Sequence, residues 1–397
     1  MINVAPGADI ISFSKDWHEP KTSNHHVMET LARTHRVLWV NSIATRSPNL
    51  ASGNDLKKIA RKLGSWFRGT EPVSPNLRVF TPVVLPLPGS RAAQALNLRL
   101  VRWGVRRAAR RWGLASPQLW LFLPNAIDYV GSFGESAVVY YCVDEWSQFS
   151  HLDGAFIREK EARMLQRADV VFVVSSALAE SKRMLCRRPP HIVRHGVDHA
   201  LFAEALEPGF EGAAECRDLP RPVVGFIGSL YDWVDQELIV DMAGHRPDWS
   251  FVLVGKIMTD VATLRRAPNV HLLGNKPHAE LPRYCRAFDA GIIPYRLGDP
   301  RMQSVNPLKL REYLASGLPV VSVDLPEARD VDADALIAAG AGGFIAAIEQ
   351  VMRADSPDRR RARSDRMRSE SWETRVAGIE RVLQEASAGA HTSSRGR

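Results

Sequence analysis

The chain has little cysteine and no long apolar run, and each shortage narrows its class. Four cysteines, Cys142, Cys186, Cys216 and Cys285, stand far apart with no paired spacing. That scatter excludes a disulfide scaffold or a zinc knuckle and fits a reducing compartment. Apolar stretches stop at strand length, well short of the ~18–20 residues that cross a bilayer. Residues 1–14 lack a basic flank followed by a long apolar segment, so no secretory signal is expected. No His, Cys or Asp cluster has metal-ligand spacing, so no metal is expected. Asp332 and Asp334, on either side of Ala333, fall after the last expected strand and read as a solvated loop. No Gly-x-Gly-x-x-Gly follows a first strand, which argues against a nicotinamide-dependent oxidoreductase. No repeat of solenoid period occurs.

What is present is an ordinary globular mixture, 45% apolar and 24% charged over 397 residues, a length that suits two domains. The 52 Lys and Arg exceed the 44 Asp and Glu to give a net +8, but the excess is local. The stretches 57–68 and 91–112 carry five and seven basic residues and no acid; the remaining 40 basic residues face 44 acids. Both stretches interleave charge with Trp, Leu or Phe. A basic amphipathic helix of this kind reads as a membrane-surface element, with Arg at anionic headgroups and Trp at the interface. The competing reading is a solvated helix whose apolar face packs on its own domain. Nucleic acid is not an expected partner, because no nucleic-acid-binding motif accompanies the charge.

Short β-type runs alternate with helical segments. Strands are expected at Ile10–Phe13, Val37–Val40, 119–123, 138–142, 170–174 and 192–194, with helices such as 25–34 and 155–167 between them. A second set follows at Val223–Ile227, 251–254, 270–273, 290–293 and 320–323. Continuous apolar strands alternating with helices predict doubly wound α/β sheets. The expected organisation is a domain over 1–203, a second over 218–370, a helix over 371–387 crossing back to the first, and a disordered tail over 388–397. Two facing Rossmann-like domains place ligands in the cleft at the carboxyl ends of both strand sets.

The segment 303–321 carries the most chemistry. Asn306 suits an N-cap, Pro307 the first helical position and Gly317 the C-terminal stop, so a helix is expected over 307–316. Its N-terminus is an anion site. Lys309 in the first turn adds a full positive charge, and Glu312, three residues on, shares its face. An ionised carboxylate accepts hydrogen bonds from a vicinal diol such as a ribose. An anion site followed by a diol acceptor fits a nucleoside diphosphate.

The run Asn-Pro-Leu-Lys-Leu-Arg-Glu-Tyr-Leu-Ala-Ser-Gly-Leu-Pro-Val-Val, 306–321, resembles the donor-binding helix of GT-B glycosyltransferases, in particular those of bacterial polysaccharide and teichuronic-acid synthesis. The family pattern has two glutamates eight positions apart. Glu312 matches the second, which in the family holds the donor ribose, while Ser304 stands where the first contacts the donor sugar. The resemblance also takes in the strand-and-turn 223–230, with Gly228 and Ser229 at the donor phosphates. It includes Lys256 and Asn275 on the base-binding edge, Tyr295 before the donor loop, His195-Gly-Val-Asp198, and Ser371-Trp-Glu373 at the start of the last helix. It implies a GT-B fold, a metal-independent hexosyltransferase without cofactor, and a nucleotide-diphosphate sugar as donor.

In the first domain the expected base is Asp144, beyond the strand 138–142, with Glu145 second. Trp146 and Phe149 offer an apolar platform. Lys15, Asp16 and Trp17 follow the first strand and His25 and His26 open the next helix, all as acceptor-side candidates, the histidines otherwise being surface residues. Arg301 is a further candidate for the leaving group. The expected function is a cytoplasmic glycosyltransferase, held peripherally at the inner face of the membrane, acting on a glycan or lipid-linked acceptor. The alternatives are a sugar-nucleotide epimerase or hydrolase of the same fold, and a non-catalytic nucleotide-sugar-binding subunit.

Overall fold

The structure is a computed structural model, and it describes residues 7–42, 69–85, 90–149, 152–331 and 335–394. The basic stretch 57–68 and the pair Asp332 and Asp334 lie outside the described residues. The chain divides into two compact units, Met1–Arg194 with Val376–Arg397, and His195–Arg375.

The first unit holds strands β1 (Ile10–Phe13), β2 (Val37–Val40), β3 (Thr70–Ser74), β4 (Leu77–Phe80), β5 (Gln118–Leu121), β6 (Ala137–Cys142), β7 (Val170–Val173) and β8 (His191–Ile192). Its helices are α1 (Ser23–Leu31), α2 (Arg91–Arg111), α3 (Gly154–Arg167) and α4 (Ser176–Arg183). The sheet order is β3-β4-β2-β1-β5-β6-β7-β8. Every pairing is parallel except β3 with β4. Strands β1, β2, β5, β6 and β7 are buried at every position, as strands covered on both faces must be, with Trp39, Trp120, Phe122 and Phe172 filling the layers. The β3–β4 hairpin is absent from the expected strands. Its outer strand, Thr-Glu-Pro-Val-Ser, is exposed and carries a proline, which a sheet tolerates only at an edge.

The second unit holds β9 (Val223–Ile227), β10 (Ser250–Val254), β11 (Val270–Gly274), β12 (Ala290–Ile293), β13 (Val320–Ser322) and β14 (Ala335–Ile337). They form an all-parallel sheet in the order β11-β10-β9-β12-β13-β14. The helices are α5 (His199–Ala203), α6 (Gln236–His245), α7 (Leu281–Ala287), α8 (Leu308–Ala315), α9 (Pro326–Arg329), α10 (Gly340–Ala354) and α11 (Pro357–Arg366). The last helix, α12 (Trp372–Ser394), starts here and continues into the first unit. It runs to Ser394, which corrects the expected disordered tail from 388. The three-residue β14 was also unforeseen.

The chain builds outward from β9 to β11, then returns across β9 to build β12 to β14. The strand order therefore reverses between β9 and β12, and their carboxyl ends form the crevice where sheets of this type bind ligands. Gly225 and Gly291 face each other in register across these two strands. A Cβ on Gly291 would come within 2.7 Å of the Tyr313 ring of α8. Gly291 lets α8 settle directly against the crevice, where the Tyr313 hydroxyl accepts the Ile227 N–H at 2.6 Å, while Gly225 makes room for the Phe288 ring.

Candidate donor site

The first turn of α8 brings one lysine to the reversal point. Lys309 is buried, and its Nζ donates to the Tyr295 hydroxyl, just beyond β12, at 2.5 Å. The same Nζ lies 4.3 Å from the Phe226 ring centroid and 4.8 Å from that of Tyr295. A Cβ on Gly228, at the end of β9, would stand 2.7 Å from it. Among the described residues no carboxylate pairs with this ammonium. Two aromatic faces and one hydroxyl offset part of the cost of burying the charge. An anion drawn into the crevice would offset much more.

The neighbouring turns are built for close approach. A Cβ on Gly255, after β10, would lie 2.0 Å from the Gly228 carbonyl oxygen, so only glycine fits there. Leu230 N–H donates to the Lys256 carbonyl at 2.8 Å, which laces the two turns together with half-buried Ser229 between them. On the other side Val234 bridges to Tyr295. The crevice floor is therefore mostly backbone.

Glu312 lies one turn along α8. Its Oε1 is 3.1 Å from His278 Nε2, at the start of the turn that leads into α7. Its Oε2 has no hydrogen bond among the described residues. Lys309 and Glu312 do not pair with each other, so the simple reading of an exposed salt-bridged pair does not describe them. His278 was not a sequence candidate; it lies 34 residues from Glu312 and nothing in its own segment points to that partner.

Two expectations at α8 are corrected. The helix starts at Leu308, and Pro307 rather than Asn306 takes the N-cap position. Asn306 is buried, and its Oδ1 accepts from Arg311 Nη1 at 2.7 Å. Arg311, between the two site residues in sequence, is itself buried and pairs with Glu370 at 3.3 Å and Glu327 at 3.8 Å. Arg301, in the 3₁₀ turn before α8, pairs with Asp299 and with Asp232 at 3.2 Å. The C-terminal stop is as expected. Gly317 has φ +75°, Leu318 N–H reaches the Tyr313 carbonyl at 2.8 Å and Gly317 N–H the Leu314 carbonyl at 2.9 Å. Ser304 closes a short 3₁₀ turn, with its hydroxyl 3.3 Å from the Arg301 carbonyl. Asn275 stands exposed beyond β11, with no side-chain hydrogen bond to a described residue.

In the first unit the loop after β1 is tied to the end of β2. Asp16 Oδ1 accepts from Ser42 N–H at 3.1 Å and hydroxyl at 2.8 Å, and Trp17 N–H donates to Asn41 at 2.9 Å. Lys15 Nζ donates to the Pro20 carbonyl at 2.9 Å. His25 and His26 are buried, not surface residues. His25 Nδ1 accepts the Thr22 N–H and Nε2 faces the Trp17 carbonyl at 3.1 Å, so the ring is neutral. Burial, and then Lys15, lower its pKa to about 3.

Asp144 is half-buried directly beyond β6, and its carbonyl accepts from Trp146 N–H at 3.0 Å. The Trp146 and Phe149 rings meet tilted at 30°, with centroids 5.5 Å apart. Beneath this loop lies a charged network that the sequence did not reveal. Lys182 Nζ is 2.6 Å from both Glu145 and Glu161, and the Tyr140 hydroxyl donates to Glu161 at 2.7 Å. Burial alone would lower the Lys182 pKa, but Glu161 and the hydrogen bonds outweigh it and the group is raised. Glu145 is thus committed to Lys182.

The fold is GT-B, two Rossmann-like α/β units. It is shared with sucrose-phosphate synthase from Thermosynechococcus elongatus (TM-score 0.69, 16% identity, 96% of this chain and 100% of that one). It is shared also with Anabaena HepE in complex with UDP-glucose (TM-score 0.63, 14% identity, 96% and 99%). Starch synthase IV from Arabidopsis thaliana, bound to ADP and acarbose, also matches (TM-score 0.64, 12% identity, 96% and 99%). Residues 221–354, within the second unit, match the family model of group 1 glycosyl transferases. The chain is also 34% identical over 223 residues to TuaH of Bacillus subtilis (strain 168), whose name places it among teichuronic acid biosynthesis glycosyltransferases. That match takes in 52% of this chain and 55% of TuaH, about half the length of the relative. No helix among the described residues is long and apolar enough to cross a membrane.

Proposed function

We propose that the chain transfers a sugar from a nucleotide-diphosphate sugar to a glycan or lipid-linked acceptor during the assembly of cell-surface polysaccharide. The observation that carries this reading is Lys309, a buried ammonium with no carboxylate partner among the described residues, at the point where strand order reverses. A diphosphate supplies the charge that the position lacks. As the anomeric carbon–oxygen bond breaks, its electron pair passes to the diphosphate, and Lys309 stabilises the charge that develops. Glu312, oriented by His278, takes the ribose hydroxyls through its open oxygen. The transfer is metal-independent in this reading because Lys309 provides the positive charge.

On the acceptor side, Asp144 takes the proton as the acceptor oxygen bonds to the sugar. Glu145 cannot do so while held by Lys182. Trp146 gives the sugar an apolar face, and Lys15, Asp16 and Trp17 border the acceptor. The protein works in the cytoplasm at the inner membrane face, where α2 makes the contact. The inward face of α2 buries Ala93, Val101, Val105 and Ala108, while Leu96, Leu100 and Trp103, 44%, 37% and 54% exposed, line up on the outer one among arginines. Packing on its own unit explains the first set and not the second.

A thermal-shift series with nucleoside diphosphates and nucleotide sugars tests the reading. At least one should raise the melting temperature, since a ligand of the folded state stabilises it. Asp144→Asn should keep that shift and lose transfer. If no nucleotide shifts the protein, the donor site is misassigned; rapid conversion of donor without acceptor would instead identify an epimerase or hydrolase.

A further inference from the structure

A groove in the first unit, formed by residues given no part in the transfer reaction, has the chemistry of an anionic amphiphile site. It runs between α2, the 3₁₀ turn Pro124–Tyr129 and α3, and encloses about 650 Å³. Leu98, Ile127, Val130 and Ala162 form apolar walls, and Arg102, Arg163 and Arg167 stand along them. The single carboxylate in the lining, Asp128, is already taken by Lys160 from just outside, with Nζ at 2.8 and 2.9 Å from its two oxygens. Arg163 reaches Asp128 only at 3.7 Å and Glu159 at 3.8 Å. Arg167 has no carboxylate partner among the described residues. Arg102 Nη2 donates to the Asp128 carbonyl at 2.6 Å, while its Nε is buried with no acceptor. The groove therefore keeps an excess of guanidinium donors beside apolar surface.

We infer that this groove binds the phosphate head of an anionic membrane lipid, with the start of its chains against the apolar wall. Guanidinium is the side chain suited to phosphate oxygens, and one planar fork takes two of them at once. A free inorganic anion would leave the apolar wall unused, and a zwitterionic head would bring its own cation among the arginines. The inference rests on α2 meeting a membrane, as proposed above, and is independent of the transfer reaction. The groove lies on a flank of α2 different from the Leu96, Leu100 and Trp103 stripe, so the two contributions can be separated.

The test uses the full chain and dihexanoylphosphatidylglycerol below its micelle concentration, followed by calorimetry. Alongside it, cosedimentation is measured with vesicles of phosphatidylglycerol and phosphatidylcholine. The monomeric lipid should bind. Arg163→Ala with Arg167→Ala, both exposed side chains, should weaken it at least tenfold without lowering the melting temperature. Trp103→Ser should reduce vesicle binding and leave the monomeric lipid unaffected. If vesicles bind but the monomeric lipid does not, or the double variant binds it as well as wild type, the groove assignment is overturned and the membrane reading stands. If inorganic phosphate or dihexanoylphosphatidylcholine binds equally well, the lipid assignment is overturned. If neither lipid form binds, both readings are overturned, whatever the nucleotide shifts show.

Discussion

Among the described residues each unit buries one lysine, and the two are handled in opposite ways. Lys182, 4% exposed, lies between Glu145 and Glu161 and is neutralised twice over. Lys309, 9% exposed, meets a phenol and two aromatic faces and no described carboxylate. A buried cation surrounded by carboxylates is part of the scaffold. One left without a counter-charge costs desolvation energy with no return until an anion arrives. The contrast separates a lysine that holds a loop from a lysine that holds a ligand.

The largest expected effect comes from Lys182→Met. It leaves two carboxylates facing each other in the interior, and the loss should be about 3–5 kcal/mol of stability, read by denaturant unfolding. Lys309→Met should do the reverse. Its melting temperature should hold or rise, while nucleoside diphosphate affinity falls about a hundredfold, consistent with losing charged hydrogen bonds worth about 1.5–3 kcal/mol. Equal destabilisation by the two substitutions would erase the distinction.

Acid supplies a next, smaller effect in both units. His25 in the first unit and His195 in the second are each held to about 3, by burial first, then by Lys15 and by Arg311 respectively. In the unfolded chain a histidine titrates near 6.5. Below that pH the unfolded state takes a proton that the folded state refuses, so stability is full above about 6.5 and falls as pH drops toward 3. Each histidine should cost about 2 kcal/mol by pH 5. His195→Asn should flatten the slope of melting temperature against pH between 7 and 5, and an unchanged slope would refute this account. The smallest effect is Glu312→Gln, expected to weaken nucleotide binding about tenfold, or roughly 1.4 kcal/mol. Full retention of affinity would remove Glu312 from the ribose.

Much of this was legible in the sequence because it is periodic or local. The buried strands are continuous apolar runs, and the helix carrying Lys309 is bracketed by Pro307 and Gly317. The illegible parts depend on partners distant in the chain. Thr70–Ser74 is a strand only because Leu77–Phe80 pairs with it. Arg311 looks like any helix-surface arginine until Glu327 and Glu370 are brought to it. The Lys182 network draws on α3, α4 and the loop after β6, and none of its members is unusual in its own segment. Asn306 has the composition of a cap but serves Arg311, because a buried guanidinium needs acceptors.

The return of α12 to the first unit has a consequence for how the protein is made. Val376, Ile379 and Leu383 are all buried, and Glu380 reaches His35 at 3.1 Å, so the last helix completes a core begun by the first strands. While the chain is being synthesised, the first unit emerges from the ribosome long before the segment that seals it. The second unit is contiguous and has every residue it needs by Arg375. The later-made unit can thus finish folding first, and the earlier one waits with an apolar face uncovered until α12 is made.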